Sequence, residues 1–263
     1  MPAAARTFGS PPVAELPTTA LTTNISTSRG TRRLVIHPSV RCAAPNGVTG
    51  FAESGNMELM PTTPSLVTEH VVLVDEGGSA VGTQPKATVH TRRTPLHLAF
   101  SCYVFNSRNE VLITQRADDK KTWPSVTTNS CCGHPSPGED LGVAVVRRLE
   151  QELGIKVSGI RLLLPEFRYR AVMTDGIVEN ELCPVFGVVY DGPDPNSNPA
   201  EVSRADWYPW QDFVRFVDDG GDVSPWCREQ MVQLKGLGDD PLHWPSGNTA
   251  DLPQAALYRS DHA

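Results

Sequence analysis

The chain has no run of 18 apolar residues, so no stretch of it is long enough to cross a bilayer as a helix. It also lacks a C-x-x-C pair. Its six cysteines, at 42, 102, 131, 132, 183 and 227, are too sparse for a small disulfide scaffold, and a reducing, cytoplasmic setting is expected. There is no basic excess either: the formal net charge of −7 excludes a protein whose main business is neutralising a phosphate backbone. Neither nucleic acid nor membrane is therefore expected as a partner, and a small-molecule substrate is. Acidic residues are nearly missing from the start of the chain, where Glu15 is the only one before Glu53. That region is rich in Ala, Pro, Ser, Thr and Arg and cannot bury enough apolar surface to order itself. Residues 1–66 read as a disordered leader or, given Met57 and Met60, an over-called start. An Arg-rich organellar targeting segment is the alternative.

The remainder has 39% apolar residues over the whole chain, suited to a globular core. His70-Val-Val-Leu-Val74 reads as a first strand, closed by the turn Asp75-Glu-Gly-Gly78. Leu96 to Phe105 reads as one long strand covered on both faces, followed by a turn at Asn106–Asn109 and a hairpin return at Val111–Thr114. Further strands are expected at Ile160–Leu164, Phe167–Val172 and Val185–Val189, and helices at Trp210–Phe216 and from Ser224 to Leu237. The pattern predicts one α/β sandwich with a mixed sheet over residues 67–238 and a C-terminal tail over 239–263.

Serine, proline and glutamate in Ser136-Pro-Gly-Glu139 form a capping-box pattern that opens a helix, and Gly154 is placed to end it. Leu141, Val145 and Leu149 give that helix a buried stripe, and Glu152 falls in the same sector. A carboxylate there needs a partner: either Arg148, one turn earlier, or a metal ion.

The chemistry concentrates in Asn129-Ser-Cys-Cys-Gly-His-Pro135 and Glu179-Asn-Glu-Leu-Cys183. On an alternating strand Glu179 and Glu181 point the same way, and two like charges side by side call for something positive between them. A metal ion is the economical candidate, with His90, His97 and His134 available to complete its shell.

From Gly133 to Ile155 the spacing resembles a degenerate Nudix box, in which Arg148 and Gln151 replace two of the carboxylates that hold catalytic metals in Nudix hydrolases. With Thr94-Pro-Leu-His-Leu-Ala-Phe100, Thr128–Pro135, Phe167-Arg-Tyr-Arg170 and Val178–Val185, the chain resembles type I isopentenyl-diphosphate isomerases, bacterial members above all. The resemblance spans residues 68–235 and implies a Nudix-like α/β/α fold. It also implies an enzyme that moves the double bond of isopentenyl diphosphate to give dimethylallyl diphosphate for isoprenoid synthesis.

By that resemblance Cys132 and Glu181 are the acid/base pair, with Tyr169 hydrogen-bonded to Glu181. Protonation falls to the Glu181 and Tyr169 side and deprotonation to Cys132, whose thiolate character nearby cations should help. His90, His97, His134, Glu179 and Glu181 form an N3O2 shell for Zn²⁺, Mn²⁺ or Mg²⁺. A second ion, Mg²⁺, bridges the diphosphate, Glu152 and the main-chain carbonyl of Cys132. Lys86, Arg116, Lys120 and Arg148 grip the diphosphate, and Trp226 shelters the carbocation. Cys131 reads as a small buried hydrophobe and Lys121 as a solvated surface charge. At Thr127 the family commonly carries an aromatic residue, and its loss reshapes the wall behind Asn129. Two other readings stand beside the isomerase: a Nudix-type diphosphate hydrolase, and a non-catalytic regulator that binds metal or isoprenoid diphosphate.

Overall fold

The structure, a computed structural model, describes residues 68–257. The leader expected over residues 1–66 lies outside them.

β1 (His70–Val74) and β2 (Ala80–Pro85) form an antiparallel hairpin. Its turn is held by Asp75, whose Oδ1 accepts from the backbone N–H groups of Gly77 and Ser79. A one-turn helix α1 (Lys86–Val89) follows and presents His90 at its end. The segment read as one long strand is two: β3 (His97–Leu98) and β4 (Phe100–Phe105) lie in different sheets, with the break at Ala99. Alternation of apolar side chains runs straight through the break, so periodicity alone does not reveal it. β5 (Glu110–Arg116), β6 (Thr127–Thr128) and β7 (Cys131–Gly133) precede helix α2 (Leu141–Leu153). Then come β8 (Arg161–Leu164), β9 (Arg168–Val172), β10 (Val178–Leu182), β11 (Val185–Val189) and β12 (Val202–Pro209). Helices α3 (Trp210–Asp218) and α4 (Pro225–Leu234) follow, the latter capped by Ser224, whose Oγ accepts from Cys227 N.

A five-stranded sheet has the order β2-β1-β3-β10-β9. A larger one has the order β12-β5-β4-β11-β8, with β6 paired to β5 and β7 to β4. Both are mixed: β3 runs parallel to β10 and β4 parallel to β11, while their other pairings are antiparallel. The chain thus passes from the smaller sheet to the larger twice, side by side, at Ala99 and at Cys183-Pro184, and returns once between β8 and β9.

β4 is buried along its whole length because helices cover both faces of the larger sheet. Phe100, Cys102 and Val104 pack with Leu141, Val145 and Leu149 of α2. Tyr103 and Phe105 pack with Trp210 and Phe213 of α3 and with Met231 and Leu234 of α4. Each such side chain contributes about 1.5–3 kcal/mol of burial. The result is the expected α/β/α arrangement.

The opening of α2 differs from expectation. Asp140, not Ser136, is the N-cap, accepting from Gly142 N at 2.8 Å and Val143 N at 3.2 Å. Gly138 adopts φ +81°, which no helix interior tolerates, so Ser136–Glu139 closes a turn instead. Glu139 still accepts from Ser136 N, as a capping box would have it, and also binds Arg147. At the other end Gly154 is left-handed, φ 66°, and ends the helix as expected.

The segment after Gly238 folds back onto the domain rather than trailing from it. Trp244 is buried, Arg161 donates to the carbonyls of Trp244 and Pro241, and Leu141 N donates to the Leu257 carbonyl beside the α2 N-terminus. Its Pro- and Gly-rich composition masked these contacts, which are made largely by backbone groups.

Candidate active site

The smaller sheet assembles a cluster of imidazoles and carboxylates. His97 on β3 is paired directly with Glu181 on β10, and Glu179 stands two residues back on the same face. His90 reaches in from the end of α1 and His134 from just beyond β7. One donor atom from each of His90, His97, His134 and Glu181 lies within 4.8 Å of the others. Glu179 is outside that mutual set but touches it, with Oε2 3.0 Å from His90 Nε2.

Hydrogen bonding alone does not account for this cluster. His97 Nδ1 bonds to the Pro95 carbonyl at 2.9 Å, which fixes the tautomer and turns the Nε2 lone pair inward. That nitrogen lies 3.2 Å from His134 Nε2 and 3.4 Å from Glu181 Oε1. His90 Nε2, His134 Nδ1 and Glu179 Oε2 are buried with no hydrogen-bond partner. Burial holds His134 down to about 3, so its ring is neutral. Burial, and then the charge of Glu181, raise Glu179. Burial opposes ionisation of Glu181 too, but its contacts with the His134 and His97 rings keep it well below the usual carboxylate range. Imidazole nitrogens and carboxylate oxygens converging on one point, three of them without a hydrogen-bond partner, are the donor set of a divalent cation, and these residues fit one.

The thiol comes from the larger sheet. Cys132 on β7 is paired with Ser101 on β4. Its Sγ lies 3.3 Å from Ser101 Oγ and donates to Asn129 Oδ1 at 3.3 Å. The Asn129 amide is oriented by donating to the carbonyls of Cys102 and Cys131, and its oxygen also accepts from Trp226 Nε1 at 3.1 Å. Ser101 Oγ accepts from Gln230 Nε2 at 2.8 Å, and Gln230 Oε1 accepts from the Tyr103 hydroxyl at 2.9 Å. The Ser101 proton is thereby directed to a sulfur, either Cys132 or Cys183. The expected thiolate character is absent: burial pushes Cys132 up to about 11, and Ser101, Asn129 and Arg116 only partly offset it. Cys131 is buried, as read from the sequence.

Between the two sheets lies a cavity of ≈ 670 Å³, well within the range of small-molecule sites. Its walls carry Cys132, Tyr169, Glu179, Glu181 and Trp226 together with Lys86, Arg116, Lys120, Arg148 and Glu152. Every residue expected to act in catalysis, metal binding or substrate binding lines this one space except His97, which is wholly buried. Tyr169 is directly opposite Glu181 across β9 and β10, but no hydrogen bond joins the two side chains; its ring lies 5.6 Å from that of Trp226. Trp226 is buried near the start of α4 and also lines the cavity.

Most of the cations already have partners. Arg148 bonds Glu152 through Nε at 3.0 Å and also through Nη2, the i,i+4 pair considered for that carboxylate. Lys86 pairs with Glu69 at 2.7 Å, and Lys120 with Glu201. Arg116 donates to the carbonyls of Thr122 and Trp123 and stands 5.8 Å from the Trp226 ring centre. Lys121 is not merely a surface charge: it lines the cavity and donates to the Ala87 carbonyl. Sequence reading missed Glu69, Ile177 and Glu201. None lies in a recognisable motif, and only the return of β12 beside β5 brings Glu201 near.

Residues 95–227 match the NUDIX domain. An isopentenyl-diphosphate Delta-isomerase of Saccharopolyspora erythraea is 53% identical over 190 residues, 72% of this chain and 97% of that one. The enzyme of that name from Rhizobium rhizogenes is 51% identical over 194 residues, 73% of this chain and 93% of its own. A Deinococcus radiodurans protein of known crystal structure aligns with a TM-score of 0.51 and 20% identity, over 63% of this chain and 98% of that one, which shows the fold alone. Extended likeness at this identity, with the NUDIX match inside it, leads to one conclusion: the chain belongs to the type I isopentenyl-diphosphate Delta-isomerase family.

Proposed function

We propose that the protein converts isopentenyl diphosphate to dimethylallyl diphosphate, using Cys132 and Glu181 as its acid/base pair. The observation that carries this reading is one cavity with a thiol, a carboxylate and four cationic side chains on its walls. The reaction needs a proton added to the terminal methylene, which leaves positive charge on the tertiary carbon, and a proton removed from the carbon on that centre's other side. Two groups flanking the chain can do both. Lys86, Arg116, Lys120 and Arg148 hold the diphosphate and so fix the alkene between them. The faces of Trp226 and Tyr169 shelter the cation from water.

A divalent ion, Mg²⁺, Mn²⁺ or Zn²⁺ at His90, His97, His134, Glu179 and Glu181, and Mg²⁺ with the diphosphate at Glu152 and the Cys132 carbonyl, would supply positive charge that acidifies the Glu181 carboxyl and neutralises the substrate. Family likeness puts the incoming proton on the Glu181 and Tyr169 side. A second polarity, with Cys132 as donor, is favoured by one observation: the Cys132 thiol points its proton at Asn129 Oδ1 and is held at about 11.

Incubation with isopentenyl diphosphate and Mg²⁺ in deuterated water, followed by proton NMR, tests the function. Dimethylallyl diphosphate carrying deuterium is the expected product. Released phosphate would replace this reading with a hydrolase, and bound but unchanged substrate with a regulator.

A further inference from the structure

Glu201 stands just before β12 and is not one of the residues lining the cavity, yet it touches two that are. One carboxylate oxygen pairs with Lys120 Nζ and the other lies 3.4 Å from Arg148 Nη2. Lys120 belongs to the loop between β5 and β6, and Arg148 to α2, so one side chain ties together cations from two separate elements. Its backbone is fixed from both sides: the Glu201 carbonyl accepts from Ala117 N at 3.0 Å, and Glu201 N donates to the Asn198 carbonyl at 2.9 Å. Asn198 N in turn donates to the carbonyl of Glu152. Glu69 differs, because it lines the cavity itself, as does its partner Lys86.

We propose that Glu201 is a positioning residue for diphosphate: from behind the wall it holds Lys120 and Arg148 close enough together to grip one diphosphate group. This rests on the reading of Lys86, Arg116, Lys120 and Arg148 as the diphosphate site. A free lysine samples many rotamers, and an ion pair made on the far side removes that freedom before the ligand arrives. Lysine has three N–H donors, so Lys120 can keep Glu201 and still offer protons to phosphate oxygens.

The test is calorimetric titration with inorganic diphosphate, alongside steady-state kinetics with isopentenyl diphosphate. Glu201→Gln, which keeps the shape, is expected to weaken diphosphate binding and raise KM by about five- to tenfold, with kcat changed less than about twofold. Glu201→Asp, which keeps the charge, should bind diphosphate more tightly than Glu201→Gln. Unchanged or tighter binding in Glu201→Gln, equal weakening in both variants, or a loss confined to kcat would overturn the proposal. If the unsubstituted protein itself fails to bind inorganic diphosphate, the assignment of the four cations to diphosphate falls, and the role of Glu201 with it.

Discussion

Glu181 lies directly opposite His97 in the parallel pairing of β10 with β3, its Oε1 3.4 Å from the ring Nε2. Because side chains alternate along a strand, this pairing exists in only one register. The same Oε1 lies 3.1 Å from His134 Nε2, so one side chain serves both the cation cluster and the proposed proton transfer.

Glu181→Gln should therefore remove activity and weaken metal binding together. Turnover is expected to fall by about 10²- to 10⁴-fold, and bound metal to drop in elemental analysis of the same preparation. Turnover within a few-fold of the unsubstituted protein would rule out Glu181 as acid or base.

Cys132→Ala separates the two functions. Its sulfur is bonded to Ser101 and Asn129, not to the imidazole cluster, so turnover should be abolished with metal content unchanged. Metal lost in parallel would show that Cys132 supports the cluster instead.

Arg148→Ala should destabilise the fold as well as weaken substrate binding. Glu152 would remain buried without its partner, a loss of about 3–5 kcal/mol read from the denaturation midpoint. A change under about 1 kcal/mol would mean that Glu152 finds solvent or another cation.

Alkylation gives the pH test. Burial pushes the Cys132 thiol from 9.0 up to about 11, so the rate of iodoacetamide modification at Cys132 should climb about tenfold per pH unit from neutrality toward 11. The sign for stability is the same: the folded state holds this proton more tightly than the unfolded chain. That contribution is full below about pH 9 and lost as the pH rises toward 11. A plateau in the alkylation rate near neutral pH would contradict it.

The elements legible in sequence were those with strong local signals. Gly154 ended α2, Ser224 opened α4, and the stripe Leu141, Val145, Leu149 met the sheet as its spacing requires. Glu179 and Glu181 shared a face because strand geometry leaves no other choice. What failed depended on context the local pattern does not hold. Ser136–Glu139 has capping-box chemistry, but Gly138 turns left-handed and Asp140 takes the cap. β12 has mostly exposed or half-buried side chains and so no apolar signature; its pairing with β5 makes it a strand. The hydrogen bond expected between Tyr169 and Glu181 is not formed: the two residues stand opposite each other on β9 and β10, and the Tyr169 ring lies 5.6 Å from that of Trp226.

The paired crossings at Ala99 and Cys183-Pro184 act as a ruler with no slack. His97 and Ser101 are four residues apart on one segment and Glu181 and Val185 four apart on its parallel neighbour, with His97 matched to Glu181 and Ser101 to Val185. The distance between the metal donors and the surroundings of the thiol is thus counted in peptide units rather than set by a flexible loop. Parity makes that count rigid: one residue added at either crossing would turn every later side chain on that strand to the opposite face. Evolutionary insertions in such a chain belong at its hairpins and outer turns, and the two crossings should tolerate changes of residue but not of length.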